Sequence, residues 1–335
     1  MRDWVSVEIA FSFILVGFFF TLALTGWVKN ILQNRALLDI PNSRSSHKTP
    51  VPRGGGWALV IVLLPALIGA AVWFDSDARH AGLIGAVALL AAISWLDDRG
   101  HVSARVRLSM HILAACLGSY SFAPHELLLH GLAPFWLDRA LMILGWAWFI
   151  NLYNFMDGID GITGSETISI AVGACLVMTA AGINDPFAGF LILILIGACL
   201  GFLAHNWHPA KIFLGDVGSV PLGYLTGFCL LSVAVKGHFA AALILPLYYL
   251  ADSGITLVRR ALRGEKIWQA HREHFYQKAA LAAGRHDRIV WEIVVADMGL
   301  IGAAVLSVSH PWAGLGAGIV IVAVLLGKLH KTAAR

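Results

Sequence analysis

The sequence predicts an all-α integral membrane protein with about ten to eleven transmembrane helices. Two compositional facts carry that prediction: 58% of the 335 residues are hydrophobic and only 13% are charged, about half the charged share of a soluble domain. The third is the form of the apolar runs, which are continuous instead of alternating. A hydrocarbon core about 30 Å thick takes roughly 20 apolar residues as a helix, and only helices or closed barrels satisfy the backbone there. Unbroken runs of that length read as helices.

The first segment, Val5 to Ile31, is too long for a signal-peptide core and is flanked by Arg2, Asp3 and Glu8 instead of a basic leader, so it reads as a retained anchor. Ten further spans follow: Trp57 to Phe74, Gly82 to Trp95, Leu108 to Phe122, Ala140 to Phe155, Ile168 to Gly182, Phe187 to Ala204, Leu222 to Val235, Phe239 to Val258, Val290 to Val308 and Trp312 to Leu326. Basic residues test this threading, because they accumulate on the cytoplasmic side. Of the 24 Lys and Arg, all but Arg2, Arg79, Arg139 and Lys236 fall on alternate loops or the tail. The N-terminus is therefore expected outside and the polar loops in the cytoplasm.

No stretch has linker composition and no internal repeat is visible, so residues 1–335 are expected to form one polytopic domain. The net charge of +4, concentrated on one face, points to anionic headgroups or phosphorylated substrates and away from nucleic acid. Cys116, Cys175, Cys199 and Cys229 lie in apolar runs without CxxC spacing and read as small hydrophobes.

Polar clusters sit where the spans meet the alternate loops. Residues 32–56 hold Pro41-Asn42-Ser43 and end in Pro50-Val51-Pro52-Arg53-Gly54-Gly55-Gly56; prolines and glycines forbid regular helix, and glycine lets backbone approach a phosphate. Asp97 and Asp98 close the third span, a weak signal alone. Asn151, Asn154 and Asp157 recur every three residues and so share one helix face. Gly158 and Gly161 break that helix, Asp160 lies between them as a candidate cap, and Thr163 with Glu166 has capping-box spacing. Asp216 opens the eighth span, either as an N-cap or as a hard Mg2+ ligand, after a stretch holding Asn206 and Lys211. A late loop carries His271-Arg272-Glu273-His274, whose spacing fails the helical zinc motif. Its apolar positions 268, 275 and 279 predict an amphipathic interfacial helix.

Taken in order, Pro41 through Gly56, Asp97-Asp98, Asn151 through Gly161, Asn206 through Ser219 and His271 through Phe275 resemble the polyprenyl-phosphate N-acetylhexosamine-1-phosphate transferases. The resemblance implies transfer of a sugar 1-phosphate from a UDP-sugar to undecaprenyl phosphate, releasing UMP, with Mg2+ or Mn2+ as cofactor, at a bacterial inner membrane. By motif position it implies Asp216 and Asn154 as metal ligands and Asp97, Asp98 and Asp157 as catalytic residues. Lys48, Arg53, Asn151, Asp160, Asn206, Lys211, His271 and His274 would contact substrate. It is compatible with a homodimer. The family often has an HxHH-type cluster where this chain has Glu273, which leaves the sugar open. The His271 to Tyr276 form looks closest to the O-antigen-initiating subgroup, whose donors include UDP-GlcNAc, UDP-FucNAc and UDP-QuiNAc. Two rival readings are a Mg2+-dependent prenyltransferase and an ion-coupled transporter, whose polar groups belong near the bilayer midplane.

Overall fold

The computed structural model describes residues 7–40, 50–74, 79–100, 102–266 and 271–334. The elements run α1 (Val7–Asn34), β1 (Leu38–Asp39), β2 (Val51–Pro52), α2 (Gly56–Trp73), α3 (Arg79–Arg99), α4 (Ala104–Ser119), α5 (Phe135–Phe155), α6 (Ile162–Ala181), α7 (Pro186–Asn206), α8 (Asp216–Ala234), α9 (Phe239–Ile244), α10 (Leu247–Leu262), α11 (Phe275–Ala283), α12 (His286–Ser307) and α13 (Pro311–Ala333). Strands β1 and β2 pair antiparallel, Leu38 opposite Pro52. Among the described residues, eight helices are long and apolar enough to cross a membrane.

One predicted span is corrected. Phe239 to Val258 is not a single helix: α9 ends at Ile244 and α10 starts at Leu247, because Pro246 has no N–H to continue the ladder. A helix does form there, α11, shifted to Phe275–Ala283; position 268 lies outside the described residues.

Helices α7 and α8 are apolar around their whole circumference and occupy the centre, while α1 and α13 turn Phe11, Phe19, Phe20, Trp312 and Val320 outward. In lipid no hydrophobic force draws one helix to another, so packing depends on small residues that let backbones touch. Gly197 and Gly201 of α7 do this against α1: a Cβ at either would overlap the Ile14 or Phe18 carbonyl. The result is a rigid centre from which the amino end of α8 and the carboxyl ends of α3 and α5 meet at one end of the bundle.

Candidate active site

Residues 51–56 supply the first support. The Phe213 N–H donates to the Pro52 carbonyl at 2.8 Å, and the N–H groups of Gly54, Gly55 and Gly56 donate to Phe213 and Leu214 carbonyls at 3.2, 2.8 and 2.9 Å. This zip brings Arg53 to the amino end of α8. Gly54 and Gly215 have φ of +114° and +73°, settings that glycine adopts without strain. A Cβ at Gly56 would overlap the Cα of Gly218, so the amino ends of α2 and α8 cross with no side chain between them. Each end carries partial positive charge from its aligned peptides, and together they favour an anion.

Asp98, in the last turn of α3, accepts the N–H groups of Asp216 and Val217 at 3.4 and 3.2 Å and so caps α8. Gly215 holds the N-cap position and Asp216 is the first helical residue, which frees its carboxylate. Arg53 Nη2 binds Asp98 at 2.9 Å and Asp216 at 3.0 Å. Arg107 binds Asp97 at 2.7 Å and lies 3.9 Å from Asp216, while the Val102 N–H also donates to Asp97. On α5, Asn154 Nδ2 donates to Asp216 at 3.4 Å and its Oδ1 accepts from the Ser219 hydroxyl at 2.5 Å. Asp157, just past α5, accepts from the Thr163 hydroxyl at 2.7 Å. Burial pushes the Asp157 carboxyl up to about 7; the Thr163 bond opposes this, and the charges of Asp216 and Asp98 reinforce it.

Among the described residues, the carboxylates of Asp97, Asp98 and Asp216, with Asp157 about half protonated near pH 7, thus face two guanidiniums, those of Arg53 and Arg107. The deficit of positive charge, together with hard oxygen donors, fits Mg2+. Asn154 has its oxygen committed to Ser219; turned over, the amide would offer that oxygen to a cation on Asp216.

Two further clusters brace the loops. Asn206 accepts from the Gly161 N–H at 3.0 Å and donates to the Ile212 carbonyl at 2.9 Å, tying the α5–α6 turn to the segment before α8. Asp160 leaves the α6 amino end alone and turns to His208 Nδ1 at 2.6 Å, His286 Nδ1 at 3.2 Å and the Ala210 N–H at 3.2 Å. Burial alone would raise its pKa, but the His286 and His208 contacts hold it below the usual carboxylate range. In the late loop, fully buried Asp252 of α10 accepts from His274 Nδ1 at 3.1 Å, the N–H groups of Phe275 and Tyr276 at 3.0 and 3.2 Å, and Tyr248 at 3.2 Å.

The structure therefore gathers Arg53, Asp97, Asp98, Asn154, Asp157 and Asp216 into one cluster. Asn151 is half-buried one turn before Asn154, and Lys211 is exposed. His274 is buried on Asp252, while His271 is packed on it, ring centres 4.9 Å apart; burial, with His274 and Arg260 close by, pushes His271 down to about 4 and leaves it neutral at pH 7. Glu273 pairs with Arg263 at 2.5 Å. Lys48 lies outside the described residues. The expected capping box fails: Gly161, with φ +78°, takes the N-cap position of α6, Thr163 is spent on Asp157, and Glu166 lies beside Asp297 of α12. Sequence reasoning missed Asp252, His208 and His286. An acidic residue inside an apolar run such as that around Asp252 is itself a signal; the two histidines had none.

Residues 80–234 match the family model described as glycosyl transferase family 4. The chain is 26% identical to a probable undecaprenyl-phosphate N-acetylglucosaminyl 1-phosphate transferase of Bacillus subtilis, over 94% of this chain and 89% of that one. It is also 26% identical to a decaprenyl-phosphate N-acetylglucosaminephosphotransferase of Mycolicibacterium smegmatis, over 79% and 74%. A phospho-N-acetylmuramoyl-pentapeptide-transferase of Thermosynechococcus vestitus is 32% identical over 62% of each chain.

Proposed function

The chain is a phosphoglycosyl transferase of the glycosyl transferase family 4 kind, and on that premise we propose that it moves an N-acetylated sugar 1-phosphate from a UDP-sugar to undecaprenyl phosphate. UMP leaves and a lipid-linked diphosphate sugar remains, as the first step of O-antigen or related surface-polysaccharide synthesis. The site faces the cytoplasm of a bacterial inner membrane, since the basic residues concentrate on its loops. The observation that carries this reading is the convergence of Asp98, Asp216 and Arg53 beneath two crossed helix amino ends.

Both substrates are anions, and bringing them to bonding distance is opposed by like-charge repulsion. Mg2+ held by Asp216, with Asn154 or Asp157 as a further donor, would supply charge neutralisation of the diphosphate. The chain's own residues do the rest. Arg53 and Arg107 exchange carboxylate partners for phosphate as substrates arrive. Exposed Arg105 and Lys48 receive the lipid phosphate. Neutral His271, beside Glu273, suits hydrogen bonds to sugar hydroxyls.

Asp97 and Asp98 position; they do not remove a proton. The second phosphate pKa is near 6, so the lipid phosphate is already about nine-tenths dianionic at pH 7. The geometry supports this, because both carboxylates accept backbone N–H groups that stay in place when the arginines turn to phosphate. Attack is then a single in-line displacement, checked by inversion at a chiral phosphorus. The direct test is UMP release by purified protein, dependent on added undecaprenyl phosphate and compared across UDP-GlcNAc, UDP-GalNAc, UDP-FucNAc and UDP-QuiNAc. Release without lipid phosphate, or none with any donor, would overturn it.

A further inference from the structure

The transfer chemistry leaves unused two acids buried deep in the bundle, Glu166 of α6 and Asp297 of α12. They are 1% and 2% exposed and face each other across the contact between those helices. Acids inside membrane-spanning helices are rare and mark a function by default. Among the described residues, none of the four carboxyl oxygens meets an N–H or hydroxyl donor in hydrogen-bond geometry. No lysine, arginine or histidine acts on either acid. The other titratable groups turned toward Glu166 are the phenols of Tyr153 on α5 and of Tyr248 and Tyr249 on α10, with Cys199 of α7 beside Thr167.

Charge counting decides what such a pair holds. Two ionised carboxylates in contact, without water or a cation, are opposed by desolvation and by like-charge repulsion, which add. A carboxyl that keeps its proton becomes an O–H donor, and the facing carboxyl is the acceptor within reach. One proton therefore satisfies an oxygen of each acid and halves the buried charge.

The neighbours of Glu166 lead to the active site. Thr163, one turn earlier on α6, donates to Asp157 at 2.7 Å. The Thr167 and Tyr153 hydroxyls are 2.6 Å apart, and Tyr153 precedes Asn154. The fully buried Tyr249 hydroxyl, without a hydrogen-bond partner among the described residues, neighbours both Thr163 and Glu166. The first two turns of α6 are thus gripped by α5 on one side and by Asp297 on the other.

We propose that Glu166 and Asp297 share a proton inside the membrane-spanning part of the bundle, and that this proton clamps α6 to α12 so that Thr163 stays on Asp157. Both acids are then positioning residues for the transfer, a role that rests on the reaction proposed above. Loss of the proton sets two like charges against each other and pushes α6 off α12.

The test begins with infrared spectra of full-length protein in detergent, free of metal and substrates, at pH 8, where Asp157 is largely ionised. The carbonyl stretch of a protonated carboxyl is expected in the wild type, lost in Glu166→Gln, shifted in Asp297→Asn and retained in Asp157→Asn. Its absence from the wild type, or its survival unchanged in Glu166→Gln, overturns the shared proton. In UMP release, Glu166→Ala should lower kcat about tenfold or more with KM for the UDP-sugar little changed. Glu166→Gln, which still donates to Asp297, should recover most of that loss and move the alkaline fall of kcat to higher pH. Thr163→Ala combined with Glu166→Ala should lose no more than Thr163→Ala alone, since both act through one contact. Equal losses in Glu166→Gln and Glu166→Ala, an unmoved alkaline fall, or additive losses in the double variant overturn the positioning role. If Glu166→Ala fails to fold, the isosteric Glu166→Gln decides through its spectrum and pH profile. The spectra need no substrate: a wild type that shows the band but releases no UMP refutes the proposed reaction alone, and UMP release without the band refutes the shared proton alone.

Discussion

Asp216 and Asp252 are both aspartates held by several partners, yet their environments differ in kind. Asp252 is fully buried and accepts from two backbone N–H groups, a tyrosine and an imidazole. The Asp216 side chain is 18% exposed and is held by guanidiniums and an amide, with no backbone donor among the described residues. Backbone N–H groups cannot leave, whereas long cationic side chains can swing to a phosphate. The contrast separates a carboxylate that builds the loop from one that is poised to exchange partners.

The sharpest way to break that contrast is Asp216→Ala. Loss of a preorganised electrostatic group costs on the order of 10²–10³ in rate, and as the principal ligand of a cation Asp216 should reach the upper end or beyond, with Tm nearly unchanged. UMP release and thermal unfolding measured on the same preparation check it; undiminished turnover would remove Asp216 from the site. Asp252→Ala should do the converse. Stranding buried donors costs about 3 kcal/mol or more, so Tm falls and proteolysis begins in the loop between α10 and α12.

Asp157 sharpens the comparison through pH. Its carboxyl is raised from an ordinary 3.8 to about 7, so the folded protein holds this proton more tightly than the unfolded chain. The stabilisation is fully present below about 4, is lost as pH rises toward 7 and is level above that, with a steepest slope of about 1.4 kcal/mol per pH unit. Urea unfolding of metal-free protein should show that slope, and Asp157→Asn should flatten it. The smallest effect is expected at the opposite end of the bundle, where Lys236 pairs with Glu126 at 2.6 Å. A partly exposed pair of this kind contributes about 1 kcal/mol or less, and Lys236→Ala should leave UMP release unchanged.

The membrane helices were legible because length and apolarity alone decide them. The break at Pro246 was legible too, from a residue that cannot continue a helix, but the length of the run around it outweighed that signal. In the site, spacing every three residues placed Asn154 and Asp157 on the face that meets Asp216 and Thr163. Spacing misled at Thr163 and Glu166, because a positive-φ glycine capped α6 two residues early and left both side chains for tertiary partners. His208 and His286 are 78 positions apart in the chain, and no local pattern announces a contact that only the packing of α12 creates.

The crossing of Gly56 and Gly218 has one more consequence. Where two main chains touch, the backbone itself sets the distance between the helix ends, and any larger residue there wedges them apart. Under the proposed chemistry, the spacing of Arg53 and Asp216 is therefore frozen, while the rim around His271 and Glu273 stays free to drift. New sugars can be recruited at the doorway without rebuilding the anvil.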